Sequence, residues 1–211
     1  MKRFLLACAF VAFALAPVSA QQLPTSPNPV AVTLDPKTTA LLLLDVAESP
    51  CNAQPECVAL VPRIASLLAA ARRAGAFVVH SSADPRGITA PTVQPSFLGP
   101  VAPAKGESVV IGGAQDRFFG TLLDQLLRKR NVATLVLAGW RENGSVLYTA
   151  VGGTIRNYTV VVADDATSAT HDYDVAIGRY QLLTQLNANP NNEPLKKTAV
   201  TLSRSDLITF L

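Results

Sequence analysis

The chain has little charge and few of the side chains that hold metals: Asp, Glu, Lys and Arg make up 16% of it, beside two histidines and three cysteines. A formal charge of +3 over 211 residues gives no basic tract for nucleic acid. No nearby His-Cys set completes four zinc ligands around Cys51 and Cys57. After the first twenty residues no apolar run approaches the ~20 residues that span a bilayer, so no stable membrane anchor is expected. Gly112-Gly113 stands without the rest of a glycine-rich phosphate fingerprint. No cofactor and no metal is expected.

The amino terminus reads as a leader. Lys2 and Arg3 give a basic start, Phe4 to Leu15 an apolar centre, and Val18-Ser19-Ala20 a small-residue cleavage site. Residues 1–20 are therefore expected to be a signal peptide, and the protein to be exported, either periplasmic or secreted. Cleavage removes two of the basic residues and no acidic one, so the mature chain is nearly neutral. Cys51 and Cys57 then remain as an even pair, which in an exported chain suggests a disulfide, free thiols being the alternative.

Residues 21–36 are polar and Pro-rich without a period, and read as a flexible arm. One domain is expected over residues 37–211. Strand-like runs recur at Thr39 to Val46, Ala76 to His80, Val109 to Ile111, Val132 to Leu137, Tyr158 to Ala163 and Ala199 to Leu202. Helical faces lie between them. Leu60, Ile64, Leu67, Leu68 and Ala71 share one face closed by Gly75, and Phe119, Leu122, Leu123, Leu126 and Leu127 share another. A further helix is expected around Asp174 to Leu186, and a Pro/Gly/Ser-rich excursion over Ser81 to Gly106. Alternation of this kind implies an α/β fold with three layers, α/β/α, around a six-stranded, mainly parallel sheet.

In such sheets ligands bind beyond the carboxyl ends of the strands. Asp45, His80, Gly112 and Gly113, Trp140 to Ser145, and Asp164-Asp165 fall there. Ser145 follows a buried strand and a short turn, and Val146, Leu147, Ala150 and Val151 then repeat at helical spacing. A side chain so placed sits near unpaired backbone N–H groups and the positive end of a helix dipole, where a nucleophile and an oxyanion are stabilised.

These segments resemble the isochorismatase-like (cysteine hydrolase) family. LLLLDV is similar to its first strand ending in Asp, FFGTLLDQLLRKRNVATLVLAGW to its third helix and fourth strand, and GSVLYTA with YTVVVADDATS to the helix beginning at its Cys and the next strand. The resemblance implies an Asp, Lys, Cys triad acting on an amide or related carbon. By position the Asp is Asp45, the Cys position is Ser145, and the Lys position falls at about Gly112. The implied function is a divergent hydrolase of a small amide, carbonyl or vinyl-ether compound, with Asp45 in proton transfer and Ser145 at the nucleophile position. The alternative is a catalytically inactive relative that binds a small ligand or protein partner. The resemblance also implies a possible homo-oligomer and a non-proline cis peptide near Arg141-Glu142.

A serine hydroxyl needs a stronger base than a thiol, and losing the Lys removes a cation. Arg117 or Arg141 is therefore expected either to supply that cation, pairing with Asp45 or Glu142, or to point to solvent. His80 reads as a base, a ligand or a hydrogen-bonded pocket wall, and Trp140 as a stacking or packing residue at the mouth. Substrate-binding candidates are thus His80, Gly112, Arg117, Trp140, Arg141 and Glu142. Lys105 reads as a solvated loop lysine or one reaching back to the site, and Thr170 or Asp172 as a helix cap rather than, with His171, a metal cluster.

Overall fold

The computed structural model describes residues 22–23, 25–83, 95–185 and 187–211. The expected leader at 1–20 and residues 84–94 of the excursion lie outside them. The first strand, β1 (Val32–Leu34), pairs in parallel with the last, β8 (Ile208–Phe210). It falls inside the stretch read as an aperiodic arm. Its partner is so distant in sequence that no local pattern announces the pairing, yet Val32 and Leu34 are buried.

The main sheet has six parallel strands: β2 (Thr39–Leu44), β3 (Phe77–Ala83), β4 (Ser108–Gly112), β5 (Thr134–Trp140), β6 (Thr159–Ser168) and β7 (Val200–Ser203). Their order is β4-β3-β2-β5-β6-β7. Because both faces are covered, β2 reads as a continuous apolar run and every residue of it is buried. Alternate side chains serve opposite cores. Leu41, Leu43, Val78, Val136 and Val161 share one core with Ile64, Leu67 and Leu68, while Leu42, Leu44, Leu135, Leu137 and Val160 share the other with Leu123, Leu127 and Leu182. Truncating one such leucine to Ala costs about 2–5 kcal/mol.

Two short helical turns, α1 (Glu48–Cys51) and α2 (Pro55–Val58), follow β2 and carry a buried disulfide between Cys51 and Cys57, whose Cα atoms are 5.3 Å apart. α3 (Val61–Ala74) has Pro62 in its first turn and ends at Gly75 in the left-handed region, as the sequence predicts. α4 (Leu123–Lys129) begins later than its apolar pattern suggests. Phe119 and Leu122, read as inward, are 57% and 62% exposed, and Phe118 is buried instead. The physical reason is that the chain is not helical before Leu123, so a 3.6-residue phase does not carry back through Phe119. α5 (Leu147–Ile155) and α6 (Asp172–Thr184) complete the layers. α6 starts without a side-chain cap, so neither Thr170 nor Asp172 plays the expected capping role.

Going outward from β2, the chain runs to β3 on one side and to β5 on the other, so the order reverses between β2 and β5. The carboxyl ends of these two strands define the crevice where α/β sheets hold ligands.

Candidate active site

Asp45 follows β2 directly, and Trp140 ends β5 opposite it. The close approach of the two strand ends depends on Gly139, at φ +127°: a Cβ there would stand 2.1 Å from the Leu44 carbonyl oxygen. Asp45 itself takes a positive φ of 55°, which Asp tolerates better than most residues, and its N–H donates to the Ser81 carbonyl at 3.0 Å. After β5 the chain makes one wide turn, Glu142–Val146, broken at Gly144 (φ −127°, ψ −113°), and this turn delivers Ser145 to the head of α5. The cis peptide bond is Trp140–Arg141, one residue before the position the resemblance suggests.

Asp45 and Ser145, a hundred positions apart, meet here. The Ser145 hydroxyl donates to Asp45 Oδ2 at 2.5 Å. Arg117 joins them: its Nη2 forms an ion pair with Asp45 Oδ2 and donates to Ser145 Oγ at 3.0 Å, while Nη1 donates to the carbonyls of Gly112 at 2.9 Å and Ala114 at 2.5 Å. The Arg117 residue is 2% exposed, so this is a desolvated cation gripped from several sides. Its backbone is fixed too. The Arg117 N–H donates to Thr149 Oγ1 at 3.1 Å, and α5 comes close because Gly152 has no side chain to strike Asp116.

Burial raises the Asp45 carboxyl above the ordinary carboxylate range, while the Arg117 charge and the hydrogen bonds from Ser145 and Arg117 pull the other way without reversing the shift. The Ala83 backbone also lowers Asp45, and among the described residues Arg117 Nε has no hydrogen-bond partner. A cavity of about 210 Å³ opens on the cluster, lined by Asp45, Ala83, Gly113 to Gln115, Arg117, Trp140, Arg141, Gly144 and Ser145.

Gly112 does not line this cavity, but a Cβ built on it would lie 2.9 Å from Thr121 Cγ2 and 3.9 Å from Arg117 Nη1. Space that a side chain at 112 would need is thus bordered by the Arg117 guanidinium. Trp140 lines the cavity and is 5% exposed. Arg141 reaches its rim, yet its guanidinium faces Asp174 at 3.4 Å and not Asp45.

Two other candidates lie elsewhere. His80 is buried on the α3 side of the sheet, where Nε2 meets Glu107 Oε2 at 2.8 Å and the ring stands edge-on to Phe97. Odd and even residues of β3 face opposite layers, and that alternation takes His80 away from the cavity. Glu142 points down into the protein, fully buried, with its Cγ against Gly178 of α6 and no ion-pair partner among the described residues. Burial first, then the nearby Asp164 charge, lift it to about 7, with Thr167 and Arg179 opposing. Gly113 and Gly144, which fall in the strand-end stretches read from the sequence, line the cavity, and so do Ala114 and Gln115, which the sequence reading does not include. The signal for Ala114 and Gln115 is their place between Gly113 and Arg117 in the loop that leaves β4.

The backbone N–H groups of Gly144 and Val146 both donate to the Arg141 carbonyl, at 3.0 and 3.1 Å. The free N–H cluster expected around Ser145 is partly spent on the turn itself. Positive charge next to the Ser145 oxygen comes instead from Arg117.

Comparison with known proteins agrees with the fold. The isochorismatase domain model matches residues 39–190. Streptothricin hydrolase of Streptomyces noursei is 34% identical over 156 residues, 71% of this chain and 61% of that enzyme. Maleamate amidohydrolase of Pseudomonas putida is 31% identical over 157 residues, 63% of this chain and 73% of that enzyme. A crystal structure of an isochorismatase family protein from Desulfovibrio vulgaris superposes with a TM-score of 0.65 at 27% identity, covering 80% of this chain and 95% of that one. The chain belongs to the isochorismatase family. It spans 61% and 51% of the length of the two streptothricin hydrolases it matches.

Proposed function

We propose that this protein is a hydrolase of a small amide-like compound in which Ser145 is the nucleophile, Asp45 the proton-transfer group and Arg117 the cation that serves both. The observation that carries the reading is the 2.5 Å hydrogen bond from the Ser145 hydroxyl to Asp45, with Arg117 against both residues at the mouth of a cavity. The matches to an amidohydrolase and a streptothricin hydrolase support amide-like chemistry.

In this reading Asp45 takes the Ser145 proton as Oγ attacks the substrate carbonyl carbon, forming a C–O bond and moving the carbonyl electron pair onto oxygen. Collapse expels the amine, which leaves with the proton held by Asp45. Water then attacks the seryl ester, losing its proton to Asp45, which returns it to Ser145 as the acid product departs. A carboxylate raised by burial is a stronger base than a solvated one, and that suits a hydroxyl nucleophile. Arg117 steadies the ionised forms of both groups. A 210 Å³ cavity limits the reacting part of the substrate to a small group. Trp140 and Gln115 would flank it.

A panel of amides and esters tested on the mature protein, with Asp45→Ala and Ser145→Ala beside it, decides the matter. Each variant should lose on the order of 10³-fold or more in turnover. Equal turnover in all three proteins would favour the second reading, an inactive relative that binds a small ligand, to which the serine at the cysteine position lends support. Export is part of the proposal: the leader-like residues 1–20 and the Cys51–Cys57 disulfide support it, and amino-terminal sequencing of mature protein beginning after about residue 20 would test it.

A further inference from the structure

The largest concavity among the described pockets is not the Asp45 cavity. A cleft of about 570 Å³ opens at the other end of the sheet, where Pro36 and Lys37 lead into β2 and Ala76 and Phe77 open β3. At ~3.3 Å per strand residue, seven-residue β3 sets it about 20 Å from the Asp45 end. Four cations line it, Lys37, Arg72, Lys105 and Arg130, against one carboxylate, Glu107. Its excess positive charge equals the formal excess of the entire chain.

These cations stand on fixed backbone. Lys105 is at the tip of a turn closed by the Glu107 N–H on the Ala104 carbonyl at 3.1 Å, with Gly106 at φ +92°. The Lys37 N–H is held by Asp35 Oδ1 at 2.9 Å. The Arg130 guanidinium lies over the Phe77 ring, 4.9 Å from its centre. Arg72 is spoken for, donating twice to Glu107 at 2.8 Å and once to the Ala102 carbonyl at 2.9 Å. Three cations therefore face the cleft with no ion-pair partner among the described residues. A concave wall focuses the field of such charges, and an anion seated among them offsets their mutual repulsion.

We propose that this cleft binds a small soluble oligoanion, a molecule bearing two or more linked phosphate-type groups, through Lys37, Lys105 and Arg130. A single carboxylate would satisfy one of three cations carried on separate segments, whereas linked phosphates present charge to all three. Lysine ammoniums act on phosphate as point charges and need no planar match. The volume is that of a small-molecule site.

The test is calorimetric titration of tripolyphosphate into the full mature chain at 50 and 200 mM salt, with phosphatidylglycerol vesicles as a separate arm. One-to-one saturable binding, weaker at the higher salt, is expected. Lys105→Gln and Arg130→Gln should each weaken it at least tenfold, and Asp45→Asn should leave it unchanged. Lys105 is exposed on a turn whose shape Glu107 sets, so its variant folds and decides the case even if Arg130→Gln does not. The proposal is overturned by absence of saturable tripolyphosphate binding, by equal affinity in Lys105→Gln, by loss of binding in Asp45→Asn, or by binding to vesicles alone.

Discussion

Two arginine–carboxylate clusters in this molecule have opposite outcomes. Around Glu107, one carboxylate receives two bonds from Arg72, one from the Ala104 N–H and a contact from His80 Nε2. Burial pushes Glu107 upward, but these partners win and hold it at about 2. Around Asp45, Arg117 divides its bonds between the carboxylate, Ser145 and two backbone carbonyls, and the side-chain bonds from Arg117 and Ser145 converge on the one oxygen Oδ2. There burial wins and the carboxyl rises. A carboxylate bonded through both oxygens becomes a clasp, here tying the 102–107 loop to α3 and β3. One that is buried at a cavity and raised by that burial is suited to exchange a proton.

The contrast is broken most severely at Arg117. Arg117→Met leaves Asp45 buried without its cation and should cost about 3–5 kcal/mol in urea unfolding at neutral pH. Glu142 extends the contrast to a fully buried carboxyl with no ion-pair partner among the described residues. Because its folded value of about 7 lies above the ordinary 4.5, the native state binds more protons than the unfolded chain between those values. Stability from this group is whole below pH 4.5 and is lost as pH rises to about 7. Glu142→Gln should therefore flatten that decline and stabilise the protein at pH 8 by up to ~3 kcal/mol.

Glu107 should behave in the opposite sense. Its folded value of about 2 lies below 4.5, so its contribution is present above pH 4.5 and disappears as pH falls towards 2. Glu107→Gln should cost about 1–2 kcal/mol at pH 7 and erase that part of the acid slope, measured by urea unfolding across the range. The smallest effect belongs to Arg141, whose half-exposed pair with Asp174 at 3.4 Å is a surface contact. Arg141→Ala should move stability by less than about 0.5 kcal/mol, and a larger loss would blur the distinction between the two arginines.

Much of the fold could be read from the chain because its signals are local. The β2 run, the β5 run and Gly75 each announce an element by composition alone, and alternation of strand and helix implies the parallel sheet. β1 escaped because its partner, β8, lies at the other end of the chain. The site was legible as far as strand ends go: Asp45, Trp140 and Ser145 do converge. Which arginine turns inward was not legible, since that depends on the non-helical path from Gly112 to Leu122 and on the room that Gly152 leaves for Asp116. His80 and Glu142 sit at plausible positions along the chain, but strand alternation and the broken turn aim them away from the cavity.

The most direct measurement is mass-spectrometric mapping of the mature protein after treatment with a serine-directed fluorophosphonate. One adduct is expected, on Ser145, formed at a rate that falls sharply in Asp45→Asn and absent in Ser145→Ala. An unlabelled Ser145, or labelling at the same rate without the Asp45 carboxylate, would contradict it.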